Sequence, residues 1–185
     1  ILIENNTVTS VQSSNTSTKG IWLGGSENPT REVRGLTIRG NTVSGVTVSS
    51  KGAYGILIGH TAPGVVIENN IVHSLTGAWV HAIGLEGNAS VGNRADVANA
   101  VVSGNTIHTL TPTGAEPASA IIFEKSHAST SPATITGNHM GTGVSVGVAM
   151  HPNSLDDGQL IANNNWWGNS SGPTHASNPS GTGSA

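Results

Sequence analysis

The chain has no cysteine, one tyrosine, one phenylalanine and only seven lysines and arginines in 185 residues. The missing thiols exclude a disulfide framework and cysteine chemistry, without fixing a compartment. Aromatic residues make up 3% and charged residues 9%, too little for a compact helical or α/β core under a charged surface. A net charge of -3 with scattered cations leaves no basic stripe, so nucleic acid is excluded as a partner. No apolar run is long enough to span a bilayer, and no charged start leads into an apolar segment, so no membrane span is expected, and the chain reads as a mature or trimmed piece of something longer from which any signal segment would be missing. What remains is Gly, Ser, Thr, Asn and Val, the vocabulary of short strands and tight turns.

Those residues repeat. The pattern apolar, any, Ile/Val, two residues, Asn, any, apolar runs from Ile1 to Val8, Leu36 to Val43, Val65 to Val72, Ala100 to Ile107, Ala133 to Met140 and, degraded, Gln159 to Trp166. It aligns Asn6, Asn41, Asn70, Asn105, Asn138 and Asn164, spaced by 35, 29, 35, 33 and 26 residues. The slack lies in loops, which marks a solenoid rather than a globule. Between the asparagines a second strand recurs: Gly20 to Leu23, Gly55 to Ile58, Ala82 to Leu85, Ala120 to Phe123 and Gly147 to Met150. Stacking like on like lets each strand hydrogen-bond to its equivalents about 4.8 Å away.

The expected fold is all-β, a right-handed parallel β-helix of about five to six coils over residues 1–167, followed by an irregular cap or linker over 168–185. Ile3, Ile38, Ile67, Val102, Ile135 and Ile161 form one inward column, and Val8, Val43, Val72, Ile107, Met140 and Trp166 another. The six asparagines form a hydrogen-bonded ladder, each preceded by Asn or Gly, which tolerate the left-handed backbone of a sharp corner. A leucine-rich repeat fits the strand and Asn segment too, but requires more leucine and no second strand.

These repeats resemble the right-handed parallel β-helix proteins of the pectate-lyase-like superfamily, most closely the NosD-type repeat branch of bacterial and archaeal surface proteins. The ending Asn163-Asn-Asn-Trp-Trp-Gly168-Asn-Ser-Ser-Gly-Pro173 is its most specific piece. The resemblance implies a place outside the cell or at its surface, and leaves activity open, since the superfamily holds lyases, hydrolases, epimerases, adhesins and structural stalks.

Candidate chemistry follows from strand parity. With Ile21 and Leu23 inward, one external column reads Gly24, Gly59, Glu86, Glu124, His151, flanked by His60 and Lys125. Glu86 and Glu124 on adjacent coils, with His151, are the candidate catalytic groups, because two carboxylates held close divide into acid and base. Superfamily enzymes carry clustered Asp, or an Arg or Lys base, which this chain lacks. Solvated strand ends, with Lys125 neutralising one carboxylate, are the alternative. Trp22, Tyr54, Trp79 and His81 are the candidate carbohydrate-binding set, although strict alternation turns Tyr54 inward. His73 and His108 align on adjacent coils, but two imidazoles without a third ligand make no convincing metal site, so no metal or cofactor is expected. The excursions Gly24 to Gly35 and Gly87 to Asn99, and the acidic pair Asp156-Asp157, read as loops and a turn.

The expected role is a non-catalytic extracellular module, a stalk or a glycan-contacting part of a surface protein. A polysaccharide lyase or hydrolase, or a self-assembling filament or surface-layer component, are the alternatives. The expected partners are a polysaccharide or cell-surface glycan, flanking domains of a larger protein, or another copy joined end to end through the uncovered amino-terminal strand edge.

Overall fold

The computed structural model describes residues 1–24, 32–59, 61–86, 95–124, 126–127, 131–150, 160–174 and 179–183. Three parallel sheets wind as a coil. The first stacks Leu2–Glu4, Thr37–Arg39, Val66–Glu68, Val101–Ser103, Ala133–Thr136 and Leu160–Asn163. The second stacks Thr7–Thr9, Thr42–Ser44, Ile71–Gly77, Thr106–Pro112 and His139–Met140, with Gln12–Ser13 and Thr47–Val48 alongside. The third stacks Thr18–Gly24, Gly52–Gly59, Trp79–Glu86, Ser119–Glu124 and Val146–Met150. A short pair, Ala95–Asp96 with Ser126–His127, lies outside these three. The fold is a right-handed parallel β-helix.

Stacking equivalents in register gives the core its columns. Ile38, Ile67, Val102 and Ile135 are buried along the first sheet, and Val43, Val72, Ile107 and Met140 along the second. Ile56, Ile83 and Ile121, then Ile58, Leu85 and Phe123, line the third. These apolar side chains leave water on folding, at about 25 cal/mol per Å² of area removed.

At the corner between the first two sheets runs the asparagine ladder. Each Asn offers its Oδ1 to the backbone N–H and side-chain amide of the Asn one coil earlier, at 2.9–3.0 Å. The residue ahead of each takes a left-handed backbone, with φ near 56° at Asn5, 62° at Gly40 and 54° at Asn69.

The ladder ends on Asn165, not on Asn164. Asn138 donates to Asn165 Oδ1, and Asn164 is the left-handed corner residue, φ 54°. The last coil is therefore shifted by one residue from the sequence alignment, and in a strand such a slip exchanges the two faces. Leu160 pairs with Ala133 and turns to the core, Ala162 takes the column of Ile135, and Ile161 is exposed. Trp167 takes the inward place assigned to Trp166, while Trp166 bridges to His139 and stacks on its ring. Three consecutive asparagines satisfy the pattern equally well in sequence, and burying Leu160 and Trp167 selects the observed register.

Beyond Gly168 the chain folds back as a hook. Pro173 bridges Gly183, and Thr174 Oγ1 donates to Gly181 O at 2.6 Å. The hook lies beside Trp167, which covers the end of the core.

Candidate functional site

The outer face of the third sheet carries a cavity of about 350 Å³, walled by Tyr54, Trp79 and His81 with the carboxylates of Glu86, Glu116 and Glu124 and floored by Ile122. Three strands position it. Tyr54 and His81 are register partners, as are Glu86 and Glu124. The alternation that predicts an inward Tyr54 fails because Gly55, where a Cβ would meet the core side chain of Val72, and Ile56 both face the core, as Ala82 and Ile83 do one coil later. This break in alternation at one level of both strands turns Tyr54 and His81 outward, onto the face that Glu86 and Glu124 reach by regular alternation.

Room for the cavity comes from absent side chains. A Cβ on Gly84 would press on Leu57 Cδ1 at 2.9 Å and stand 3.6 Å from Glu86 Oε1. One on Gly52 would strike the indole of Trp79, its register partner.

A chain of hydrogen bonds fixes the walls. Trp79 Nε1–H donates to Tyr54 Oη at 3.2 Å, and the Tyr54 hydroxyl bonds to Glu86. Burial first, then the charge of Glu86, push the Tyr54 phenol well above its usual range, so it stays protonated. The His81 ring is tilted against Tyr54 at 5.3 Å, and its side chain is only 2% exposed. Burial lowers its imidazole to about 4, opposed by the charge of Glu124, so it is neutral at pH 7. His81 Nε2 lies 3.4 Å from Glu116 Oε1, and with the ring neutral this approach is not an ion pair. His81 Nδ1 is buried without a hydrogen-bond partner.

This geometry sets a pH response. An unfolded chain protonates His81 near pH 6.5 and the folded chain only near 4, so the unfolded state binds more protons between them. Stability is full above pH 6.5 and declines as pH falls toward 4, by on the order of 3 kcal/mol for this one group. His108, lowered by burial and then by its neighbours His73 and His139, acts in the same direction. Urea titrations at pH 7.0, 6.0 and 5.0 should show the decline, and His81→Gln should flatten most of it.

The structure regroups the candidates found in sequence. Glu86 and Glu124, read as catalytic, and Tyr54, Trp79 and His81, read as carbohydrate-binding, line one cavity. Trp22 does not join them: it is 61% exposed, with Lys19 Nζ 5.0 Å over its ring. His151, with His60, Lys125 and Asp156-Asp157, lies outside the described residues, as does most of both long excursions. Glu116 was missed, because it lies outside the repeat pattern. Its signal is corner length: one residue, Ala78, separates Gly77 from Trp79, whereas six separate Pro112 from Ser119 one coil later. The longer corner arches over the strand and delivers Glu116 to the cavity.

A second concavity, of about 600 Å³, opens at the far end between His108, His139 and the Trp166–Trp167 pair. Outside it, His73 stacks on His108 with centroids 4.9 Å apart and planes within 9°.

A three-sheet parallel coil with a laddered corner defines a right-handed parallel β-helix of the pectate-lyase-like superfamily. Within it the chain belongs to the NosD family, whose model, described as a periplasmic copper-binding protein (NosD), matches residues 2–172. Neither a curated protein nor a solved structure matches the chain.

The family description raises copper, and the described residues do not fit it. Imidazole lone pairs lie in the ring plane, so two nearly parallel stacked rings cannot both aim at one ion. Nδ1 of His73 and of His108 already meet Ser74 Oγ and Thr109 Oγ1 at 3.0 and 2.8 Å. Among the described residues no three His, Cys, Asp or Glu are grouped to hold a metal. No helix among them is long and apolar enough to cross a membrane.

Proposed function

We propose that the chain is a β-helix repeat module working outside the cytoplasm, which holds a glycan on the outer face of its third sheet without cleaving it. The observation that carries this reading is the convergence of Trp79, Tyr54, His81 and three glutamates on one cavity. An aromatic wall gives a sugar ring an apolar face to lie on, and the polar groups beside it orient the hydroxyls. The strands below are rigid, so little ordering accompanies binding. A family description naming a periplasmic protein supports the location outside the cytoplasm.

Calorimetry and a glycan array on the full chain test it. Binding to at least one oligosaccharide is expected, weakened about tenfold or more by Trp79→Ala. No binding across neutral, acidic and amino glycans would remove the glycan role and leave a structural module.

Cleavage is the second reading, favoured by the direct pairing of Glu86 with Glu124. It requires that the intact chain release sugar and that Glu124→Gln stop the release. Binding without release, in the same samples, decides for the module.

A further inference from the structure

The asparagine ladder is open at both ends, and the two ends differ in kind. Inside it each Asn receives two hydrogen bonds at Oδ1 from the coil before and sends its own N–H and side-chain amide to the coil after. Asn6 sends without receiving: its N–H and Nδ2 reach Asn41 Oδ1, and no donor among the described residues meets its own Oδ1. Asn165 receives without sending. Its Oδ1 accepts from Asn138 and its Nδ2 holds Ile135 O and Asn163 O, while its backbone N–H meets no acceptor among the described residues. An acceptor therefore stands at one end and the matching donors at the other.

The first sheet is open at the same two places. Leu2–Glu4 is its first strand and Leu160–Asn163 its last, so among the described strands each is paired on one side only. Such edges are templates for a further strand. In the outward column of this sheet the interior members Thr37, Val66, Val101 and Thr134 are half-buried, whereas Leu2 and Ile161 at its ends are 53% and 43% exposed. The hook beyond Gly168 lies beside Trp167 and leaves the last strand open, with Ile161, Ala162 and Asn163 all exposed.

We propose that copies of this chain associate head to tail, the first sheet and the asparagine ladder continuing from the last strand of one copy into the first strand of the next. Asn165 of one copy then stands to Asn6 of the next as Asn138 stands to Asn165. That register sets Leu160 opposite Ile1, Ile161 opposite Leu2, Ala162 opposite Ile3 and Asn163 opposite Glu4. The two exposed apolar side chains meet on the outer face. No like charges are opposed, and Glu4 keeps its pairing with Arg39. Each added copy leaves one donor end and one acceptor end free, so the contact is heterologous and extends as an open filament. One strand and one corner form a smaller contact than the roughly 1,200–2,000 Å² of a stable complex, which makes the association reversible. Neither the cavity nor its ligand takes part.

Sedimentation velocity on the full chain, from about 10 μM to about 1 mM, tests the contact, and the average mass should rise with concentration past that of a dimer. Leu2→Lys and Ile161→Lys each place a charge on one docking end and leave the other end intact. Both side chains are exposed, so the melting curves should not change. Alone, each variant should associate at least about tenfold more weakly than the unmodified chain. Mixed in equal amounts, the two should form dimers and nothing larger, because the intact last strand of Leu2→Lys meets the intact first strand of Ile161→Lys.

A monomer throughout the range overturns the proposal. Association lost in Leu2→Lys but kept in Ile161→Lys also overturns it, since two first strands would then be pairing head to head. A mixture that stays monomeric, or association that neither variant weakens, does the same.

Discussion

Asn105→Ala is expected to lower stability by about 4 kcal/mol, a large part of the roughly 5–15 kcal/mol that separates folded from unfolded chains. The Asn105 amide donates to Ile67 O at 2.9 Å and to Asn138 Oδ1 at 2.9 Å, while its Oδ1 accepts from the backbone and side chain of Asn70 at 2.9 and 3.0 Å. Alanine leaves the buried Asn70 N–H without an acceptor where water does not reach, and takes one of the two bonds of the Ile67 carbonyl, which keeps its sheet bond to the neighbouring strand. An orphaned donor costs about 1–3 kcal/mol, to which the lost amide bonds and the empty volume add. Because Asn105 is mid-ladder, its loss also uncouples the coils on either side. Urea unfolding should therefore show a lower midpoint and a shallower slope, since coupled repeats unfold as a unit only while their interfaces hold. Asn6→Ala is the control, because Asn6 is exposed at the end of the ladder and should cost far less.

Phe123→Ala is expected to cost about 3–5 kcal/mol and to weaken ligand binding as well. Phe123 is the chain's one phenylalanine and is fully buried, beside Leu85 on the inner face of the third sheet, with the exposed Met150 as its register partner on the other side. A core with so few aromatic residues has nothing of similar volume nearby to collapse into the space. The next residue, Glu124, points the other way into the cavity, so a loosened strand displaces a carboxylate of the site. Phe123→Leu should recover most of the loss, within about 1.5 kcal/mol of the original. Thermal melts of both variants, paired with glycan calorimetry, check the stability and binding halves separately. Full binding by a destabilised Phe123→Ala would show that the cavity is held by its own hydrogen bonds alone.

Five of the six ladder asparagines were legible because the corner demands one residue type at one place, and the unit recurs with little variation. The sixth was not. In Asn163-Asn164-Asn165 three candidates stand side by side, and only the burial of Leu160 and Trp167 distinguishes them. The pairing of Glu86 with Glu124 was legible for the same reason as the ladder, since regular strands convert sequence alignment into spatial adjacency.

The cavity was legible only in pieces. Alternation from Ile56 and Ile58 placed Tyr54 inside, and Gly55, having no side chain, does not show in sequence that it and Ile56 both face the core. Glu116 belongs to a corner outside the repeat, so periodicity says nothing of where it points. Trp22 shares a strand type with Trp79 but stands on a coil with Lys19 above its ring, and it remains at the surface.

By itself the sequence determined the coil: small and β-branched residues at period two, and an Asn at each corner, admit stacked parallel strands and little else. Tertiary structure alone decided which outward side chains share a cavity. A solenoid's core is set by the composition of its repeats, whereas its sites arise where the repeats depart from regularity, and a departure shows its direction only once the neighbouring coils are in place.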